Sequence, residues 1–516
     1  MYPALRDPHH WTLHEVLAHQ AAARGGQVFL HFPDEGRRVT YAEARAAAAA
    51  GAAALAAYGV EPGERVAVML PNGWDFLRLW LAAAWRGAVL VPFNTALVGD
   101  FLTHVLTDSA PRLVIGDEAS LPRLAPSLPS GTRLLTPAAI AERGEDPAPH
   151  PRRHAEIACI MYTSGTTGPS KGVLMPEAHC FLFGLGTLDT QELGPADRHY
   201  VTMPLFHVNA LMMQVYAVLI AGAEAVVRRR FSASAFVDDL HRFGITAFNL
   251  LGAASAFVFA QPPRPADRGH SVRVIQVAPN PEEHERIWRT RFGIPVVLSG
   301  FGMTECNIAV YSRRHAHRPG TCGKVYDPYF EVEIRDPETD DPLPPGKVGE
   351  IMVRPKVPFG FMAGYHRLPE ATLEAWRNFW FHTGDAGVAD AEGYITFIDR
   401  LKDCIRRRGE NISSFEVENA LRKLPGVREV AAFGVPSDIA GAEEEVMLAI
   451  VPDPAAGLTP ALVRDHARRH LPRFAEPRYV EFVTELPKTP TEKVRKSLLR
   501  ARGVGPATID LSRLPA

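Results

Sequence analysis

Met161-Tyr-Thr-Ser-Gly-Thr-Thr-Gly-Pro-Ser-Lys-Gly-Val173 concentrates more chemistry than any other segment of the chain. Hydroxyls, three glycines and one lysine follow directly on the apolar run Ile157-Ala-Cys-Ile-Met161. Hydroxyls, open backbone N–H groups and an ammonium are what a polyphosphate requires, and an apolar strand holds such a loop still. Ser/Thr/Gly stretches also serve as flexible tethers, but the apolar lead-in, the single proline and the closing lysine favour a phosphate loop. It is not the G-x-x-x-x-G-K-[ST] loop, because Lys171 is followed by Gly172 and no strand–loop–helix spacing surrounds it.

On the N-terminal side the pattern alternates helix and strand. Thr40-Tyr-Ala-Glu43 reads as a capping box, and the alanine-rich run Ala46–Ala57 favours helix until Gly59 and Pro62-Gly63 stop it. Arg65–Leu70 reads as a strand, Trp74–Trp85 as a helix, Ala88–Pro92 as a strand, Phe101–Asp108 as a helix and Pro111–Ile115 as a strand. Such alternation implies a parallel sheet covered by helices. Residues 117–153, rich in Pro, Gly and charge, read as a surface connection. Leu211–Val227 is the most apolar long stretch, but Gln214 and Glu224 interrupt it, so it reads as buried helix then strand and not as a membrane span.

On the C-terminal side Ala225–Arg228, Ala247–Leu250, Val272–Val277 and Pro295–Ser299 supply further strands. After Cys322 the period changes to two in Phe330–Arg335, Gly349–Arg354 and Gly393–Asp399, which predicts an antiparallel, β-rich lobe. Beyond Arg400, helices over Ser414–Leu424 and Leu462–His470 alternate with strands at Val427–Ala432, Glu445–Val451 and Tyr479–Val483, the pattern of a small α+β domain. The fold class is therefore α/β, with a large N-terminal domain of mixed and parallel sheets, a β-rich lobe and a small C-terminal domain.

Bulk properties narrow the function. A chain of 516 residues exceeds one ordinary core. Net charge is -2 with 22% charged residues, and the short runs Arg228–Arg230 and Arg406–Arg408 read as solvated surface, which argues against nucleic acid as partner. The first ten residues lack the order of an export signal, and five widely spaced cysteines have no metal-ligand spacing. A cytoplasmic protein with reduced thiols is expected, as monomer or homodimer.

Thr163-Ser-Gly-Thr-Thr-Gly-Pro-Ser-Lys171 resembles the signature loop of the adenylate-forming superfamily, which includes acyl- and aryl-CoA synthetases, nonribosomal peptide synthetase adenylation domains and firefly luciferase. The resemblance continues in order through Pro204-Leu-Phe-His207, Gly300-Phe-Gly-Met-Thr-Glu305, Gly349-Glu350, Gly364-Tyr365, Trp380-Phe-His-Thr-Gly-Asp385, Asp399-Arg-Leu-Lys-Asp403, Gly409-Glu-Asn-Ile412 and Pro487-Lys-Thr-Pro-Thr-Glu-Lys493. It implies an N-terminal ATP- and acyl-binding domain over 1–400, a hinge at 401–402 and a mobile C-terminal domain over 403–516. It also implies two half-reactions. A carboxylate attacks the α-phosphorus of ATP, giving acyl-adenylate and pyrophosphate; the thiol of coenzyme A then displaces AMP.

Carried over residue by residue, Thr163, Ser164, Gly165, Thr166, Thr167, Gly168 and Lys171 would wrap the β- and γ-phosphates. Thr304 would contact the α-phosphate, and Glu305 with Thr163 would hold Mg2+. Phe301, where relatives commonly carry tyrosine, would stack on adenine beside Gly302 and Met303, with Ala278 and Pro279 on the other side. The latter lie in Val277-Ala-Pro-Asn280, a departure from the usual Gly-Gly-Ala-Pro. Asp385 would bind the ribose hydroxyls, and Arg400 would approach the same sugar.

Lys493 would reach the reacting oxygens, with Glu492 where a glycine is common, and Lys402 would be the hinge about which the domains alternate. His207 would position the acyl carboxyl, with Asn209, Met212, Met213, Leu251 and Asn307 as pocket neighbours. Arg406, Gly409 and Glu410 would line the pantetheine channel, Arg408 standing where a second glycine is frequent. Within the superfamily the motifs look most like the crotonobetaine/carnitine-CoA ligase group. A separate carrier protein or an amine is the alternative acceptor; a luciferase-like oxygenase and a non-catalytic nucleotide-binding protein are the remaining readings, which no residue favours.

Overall fold

The computed structural model describes residues 2–140, 146–163, 169–400, 404–407, 410–438, 443–487, 494 and 496–514, with the side chains at 253, 399, 400, 404, 411, 413, 415 and 497 left aside. Two units are distinguished: Met1–Thr95, Asp108–Met161 and Gly172–Asp399 form one, and Ala96–Thr107, Tyr162–Lys171 and Arg400–Ala516 the other.

The capping box predicted at Thr40 exists in full. Thr40 Oγ1 accepts from the Glu43 N–H at 3.2 Å and Glu43 Oε2 accepts from the Thr40 N–H at 2.7 Å. It starts the helix Tyr41–Ala57, which packs on the helix Trp74–Arg86. Alanine serves that packing as well as propensity. A Cβ on Gly51 would lie 2.6 Å from Ala82 Cβ, so only small side chains let the two backbones approach this closely.

Two seven-stranded sheets dominate the first unit. One runs Val296–Leu298, Val274–Ala278, Ala247–Leu251, Arg198–Val201, Glu224–Val227, Val28–Phe32, Arg37–Thr40, and is parallel up to its last, antiparallel strand. The other runs Gly364–Tyr365, Lys171–Pro176, Ile157–Thr163, Val89–Pro92, Arg65–Met69, Leu113–Gly116, Arg133–Leu135. The antiparallel lobe is also present, as Phe330–Arg335, Val348–Pro355, Phe381–Ala389 and Ile395–Arg400 in one sheet. Its alternation follows from Val332 facing Val353 and Met352 facing His382 across the pairs.

Two readings require correction. Residues 117–153 are not merely a connection: Arg133–Leu135 is an edge strand, Ile140 is fully buried, and Arg78 donates to the carbonyls of Ile140 and Pro137 at 2.8 and 2.7 Å. Short strands with one polar neighbour each carry no readable period. The apolar stretch Leu211–Val227 is buried helix then strand as expected, its helix opening as the π-helix Asn209–Tyr216 before Ala217–Ala221 and the strand Glu224–Val227. The Arg406–Arg408 run is not uniformly solvated, because Arg407 is buried, with Nε 2.6 Å from Glu445 Oε2.

The second unit carries the sheet Val427–Pro436, Glu444–Pro452, Tyr479–Phe482, Ile509–Asp510, packed by the helices Ser414–Arg422 and Pro460–His470. Val430, Ala432, Val446, Leu448, Ile450, Val463 and Ala467 form its core, with Phe101 packed against it. Among the described residues no helix is long and apolar enough to cross a membrane.

Candidate active site

The segment Gly300–Met303 pairs antiparallel with Asn307–Tyr311, so Thr304, Glu305 and Cys306 occupy the tip of a tight hairpin. Gly302 permits it: a Cβ there would sit 2.0 Å from the Asn307 carbonyl oxygen and 2.5 Å from Ile308 Cα. Asn307 closes the turn at φ +64°, a left-handed conformation that asparagine tolerates better than most residues.

The tip is fastened from two sides. The Glu305 carbonyl accepts from the Met362 N–H at 3.1 Å, and the Tyr365 hydroxyl donates to Glu305 Oε1 at 3.2 Å. Burial, reinforced by the neighbouring Glu305 charge, pushes the Tyr365 phenol well above its ordinary range, so it stays a donor. Tyr365 is itself fixed by strand pairing, Gly364 with Leu174 and Tyr365 with Val173, which ties it to the strand that follows the glycine-rich loop.

Asp385 is buried in the strand Phe381–Ala389. Glu350 organises the approach to it: Oε1 accepts from the Gly384 N–H at 2.8 Å, and Oε2 lies 3.1 Å from His382 Nδ1. Thr383 Oγ1 accepts from the Asp385 N–H at 3.1 Å and donates to the Ile351 carbonyl at 2.6 Å. Phe301 stacks on Phe397, with ring centres 6.1 Å apart and planes 23° from parallel. Ala278 ends its strand half-buried, Pro279 is exposed, and Gly252 lets the chain pass close by, since a Cβ there would meet the Pro279 carbonyl at 2.8 Å.

His207 lies on a turn that Asn72 secures, with Asn72 Oδ1 accepting from Leu205 N–H at 2.8 Å and Nδ2 donating to the Met203 carbonyl at 2.8 Å. The His207 and Phe206 rings are 4.6 Å apart. Met212 and Met213 are buried, and Gln214 Nε2 donates to Asn209 Oδ1 at 2.7 Å.

In the other unit, Thr163 ends one strand and Lys171 begins the next, both half-buried. Next to Lys171, Ser170 Oγ donates to Glu416 Oε1 at 3.0 Å, and His104 Nε2 donates to the Ser170 carbonyl at 2.8 Å. Burial pushes the Glu416 carboxyl up to about 7 against the opposing Ser170 bonds. Arg406 and Glu410 are half-buried on the hairpin Cys404–Arg407/Glu410–Ser413. Ser164, Gly165, Thr166, Thr167, Gly168, Lys402, Gly409 and Lys493 lie outside the described residues, as does the side chain of Arg400.

Sequence reasoning quoted Gly349-Glu350 and Gly364-Tyr365 as motifs without assigning either a task; the structure gives Glu350 the Asp385 turn and Tyr365 the Glu305 carboxylate. Asn72 carried no signal at all. A magnesium ion is compatible with Glu305, a hard carboxylate oxygen donor fixed from behind by a phenol. Among the described residues no cluster of three or more His, Cys, Asp or Glu is arranged to hold a metal.

Residues 17–366 match the profile of the AMP-binding enzyme family, and residues 416–493 match the AMP-binding enzyme C-terminal domain. The chain belongs to this family. A sulfoacetate–CoA ligase of Cupriavidus necator is 34% identical over 503 residues, covering 94% of this chain and 96% of the relative. A crotonobetaine/carnitine–CoA ligase of Salmonella typhimurium is 29% identical over 465 residues, covering 86% and 89%. The solved structure of an o-succinylbenzoate CoA synthetase from Bacillus subtilis, bound with a product analogue, superposes with a TM-score of 0.85 at 25% identity, covering 95% and 98%. The protein is an AMP-forming enzyme of the acyl-CoA synthetase type, as its motifs imply.

Proposed function

We propose that this protein condenses a carboxylic acid with coenzyme A through an acyl-adenylate, with ATP as the energy source and Mg2+ at Glu305. The observation that carries the reading is the fastened hairpin tip, which presents Thr304 and a buried Glu305 carboxylate at the end of the strand that carries Phe301. Joining two anions, a carboxylate and a triphosphate, demands fixed positive or hydrogen-donating groups before it demands a base. The metal, when bound, neutralises phosphate charge and aids departure of pyrophosphate.

In this reading Thr304 donates to the α-phosphate, Glu305 and the Thr163 hydroxyl are metal ligands, and Asp385 accepts from the ribose hydroxyls. Phe301 and the Ala278-Pro279 turn flank the adenine, together with Gly302 and Met303. The loop Ser164–Gly168 with Lys171 takes the leaving pyrophosphate, and Arg400 approaches the sugar. Lys493 stabilises charge in the first half-reaction, Lys402 is the hinge, and His207 orients the acyl carboxyl. Arg406, Gly409 and Glu410 line the thiol's approach. The thiol sulfur then bonds to the acyl carbon as the acyl–oxygen bond to AMP breaks. Chain organisation into 1–400, a hinge at 401–402 and 403–516, and a cytoplasmic location, belong to the same proposal.

CoA as acceptor is supported by the names of both relatives, whose acids differ in everything except a carboxylate. The test follows that breadth. Purified protein is incubated with ATP, Mg2+ and CoA against short sulfonated, quaternary-ammonium, aryl and fatty acids, with products read by mass spectrometry. AMP together with one acyl-CoA supports the reading; ADP, or an adenylate indifferent to CoA, overturns it. Lys493→Ala should abolish adenylate formation while sparing thioester formation from supplied acyl-adenylate.

A further inference from the structure

His179 belongs to none of the assigned motifs, yet it touches the catalytic turn. It lies fully buried on the helix Glu177–Gln191, with Nε2 2.8 Å from the Thr304 carbonyl oxygen. Its Nδ1 is 3.2 Å from Asn307 Nδ2 and 3.2 Å from the Gly360 carbonyl oxygen. Burial lowers the imidazole to about 4, so at neutral pH the ring is uncharged and carries one N–H.

Which nitrogen carries it follows from Asn307. Asn307 Oδ1 accepts from the Ile308 N–H at 2.9 Å, and Nδ2 donates to the His179 carbonyl at 3.0 Å. Two separate partners thus orient the amide with Nδ2 toward the ring. A donor facing Nδ1 requires a bare lone pair there, which leaves the proton on Nε2 and directs it at Thr304. The Gly360 oxygen is then a neighbour and not a hydrogen-bond partner.

We propose that His179, clasped by Asn307, is a positioning residue that sets the Thr304–Glu305 turn for adenylation. The proposal rests on the function assigned above to Thr304 and Glu305. One imidazole bridges the turn, with the Thr304 main-chain carbonyl at one nitrogen and the Asn307 side-chain amide at the other. Both flanks of Glu305 are thereby held while its side chain is held by Tyr365. Loss of the Nε2 bond would leave the Thr304 carbonyl unsatisfied and let the tip move by a fraction of an ångström, enough to misplace a metal ligand.

The test exploits side-chain reach. In His179→Gln the amide nitrogen can occupy the place of Nε2, whereas the His179→Asn amide reaches only the place of Nδ1, and His179→Leu supplies neither group. Each variant is measured for ATP–pyrophosphate exchange and for Mn2+ binding to the protein·ATP complex by electron paramagnetic resonance, with melting curves as the folding control. His179→Gln is expected within about threefold of the parent. His179→Asn and His179→Leu should lose about tenfold in exchange kcat and about tenfold in Mn2+ affinity, with the KM for the acid unchanged. His179→Asn matching the parent, or His179→Gln as impaired as His179→Leu, overturns the proposal. Should the parent show no acid-dependent exchange, the functional reading fails, and the ratio of Mn2+ affinities between the Gln and Asn variants still decides the positioning role.

Discussion

The Tyr365 hydroxyl donates to Glu305 Oε1 at 3.2 Å across 60 residues of sequence. The bond restrains the carboxylate proposed above as a metal ligand, and it comes from a phenol whose ionisation burial suppresses. A carboxylate that must accept a cation without swinging needs such a restraint.

Tyr365→Phe keeps the ring and removes only that donor. A hydrogen bond to a charged group contributes about 1.5–3 kcal/mol, so adenylation should fall by roughly tenfold or more, and half-saturation by Mg2+ should move to higher concentration. Pyrophosphate-exchange rates across a Mg2+ titration check both, and an unchanged Mg2+ dependence would refute the restraint.

Thr40→Ala separates stability from chemistry. It removes one side of the capping box of Tyr41–Ala57 and should cost about 1 kcal/mol. Urea unfolding should show that loss while kcat at 25 °C stays at the parent value.

Arg407→Gln and Arg406→Gln should differ sharply. Arg407 is buried against Glu445 and donates to the Phe474 and Glu476 carbonyls at 3.1 and 2.6 Å, so removing its charge leaves the buried Glu445 carboxylate with Arg478 alone, 3.5 Å away, and two carbonyls without their donor, a loss of about 2–4 kcal/mol. Arg406 is half-buried, and its backbone N–H donates to Glu444 Oε2 at 3.0 Å, a bond that substitution of the side chain leaves in place. Limited proteolysis of residues 400–516 should therefore accelerate more in Arg407→Gln than in Arg406→Gln.

Acid should destabilise the fold earlier than carboxylate titration would. Burial lowers His14 and His179 to about 4 and His199 to about 3, all from an ordinary 6.5. A group with a depressed folded value contributes stability that is present above 6.5 and lost as pH falls toward that value. Glu416, raised to about 7, and Glu177, also raised by burial, act oppositely, favouring the fold at low pH. With histidines outnumbering these acids, unfolding at pH 5.5 should take up protons, read from calorimetric enthalpies in buffers of different ionisation heat. Net proton release would show that the acids prevail.

Much of the architecture was legible. The helix–strand alternation from Thr40 to Ile115, the period-two lobe and the α+β texture beyond Arg400 are all local patterns, and each element forms within a few residues of its expected place. The first forty residues gave no such pattern, although Leu13–Arg24, Val28–Phe32 and Arg37–Thr40 are regular. Their strands are short and buried on both faces or at an edge, so neither helical nor alternating period develops. Arg407 was misread for a related reason: three adjacent arginines look alike until a strand turns one of them inward.

The sequence alone determined the order of motifs, hence the family, the fold class and the residue types proposed to meet ATP. Those follow from local composition and spacing. Tertiary structure decided which side chains stand behind them. Tyr365 reaches Glu305 because Gly364–Tyr365 pairs with Val173 and Leu174, and His179 reaches Thr304 because a buried helix passes beneath the hairpin. Long-range pairing of strands and the satisfaction of buried polar groups are collective, and no window of neighbouring residues encodes them.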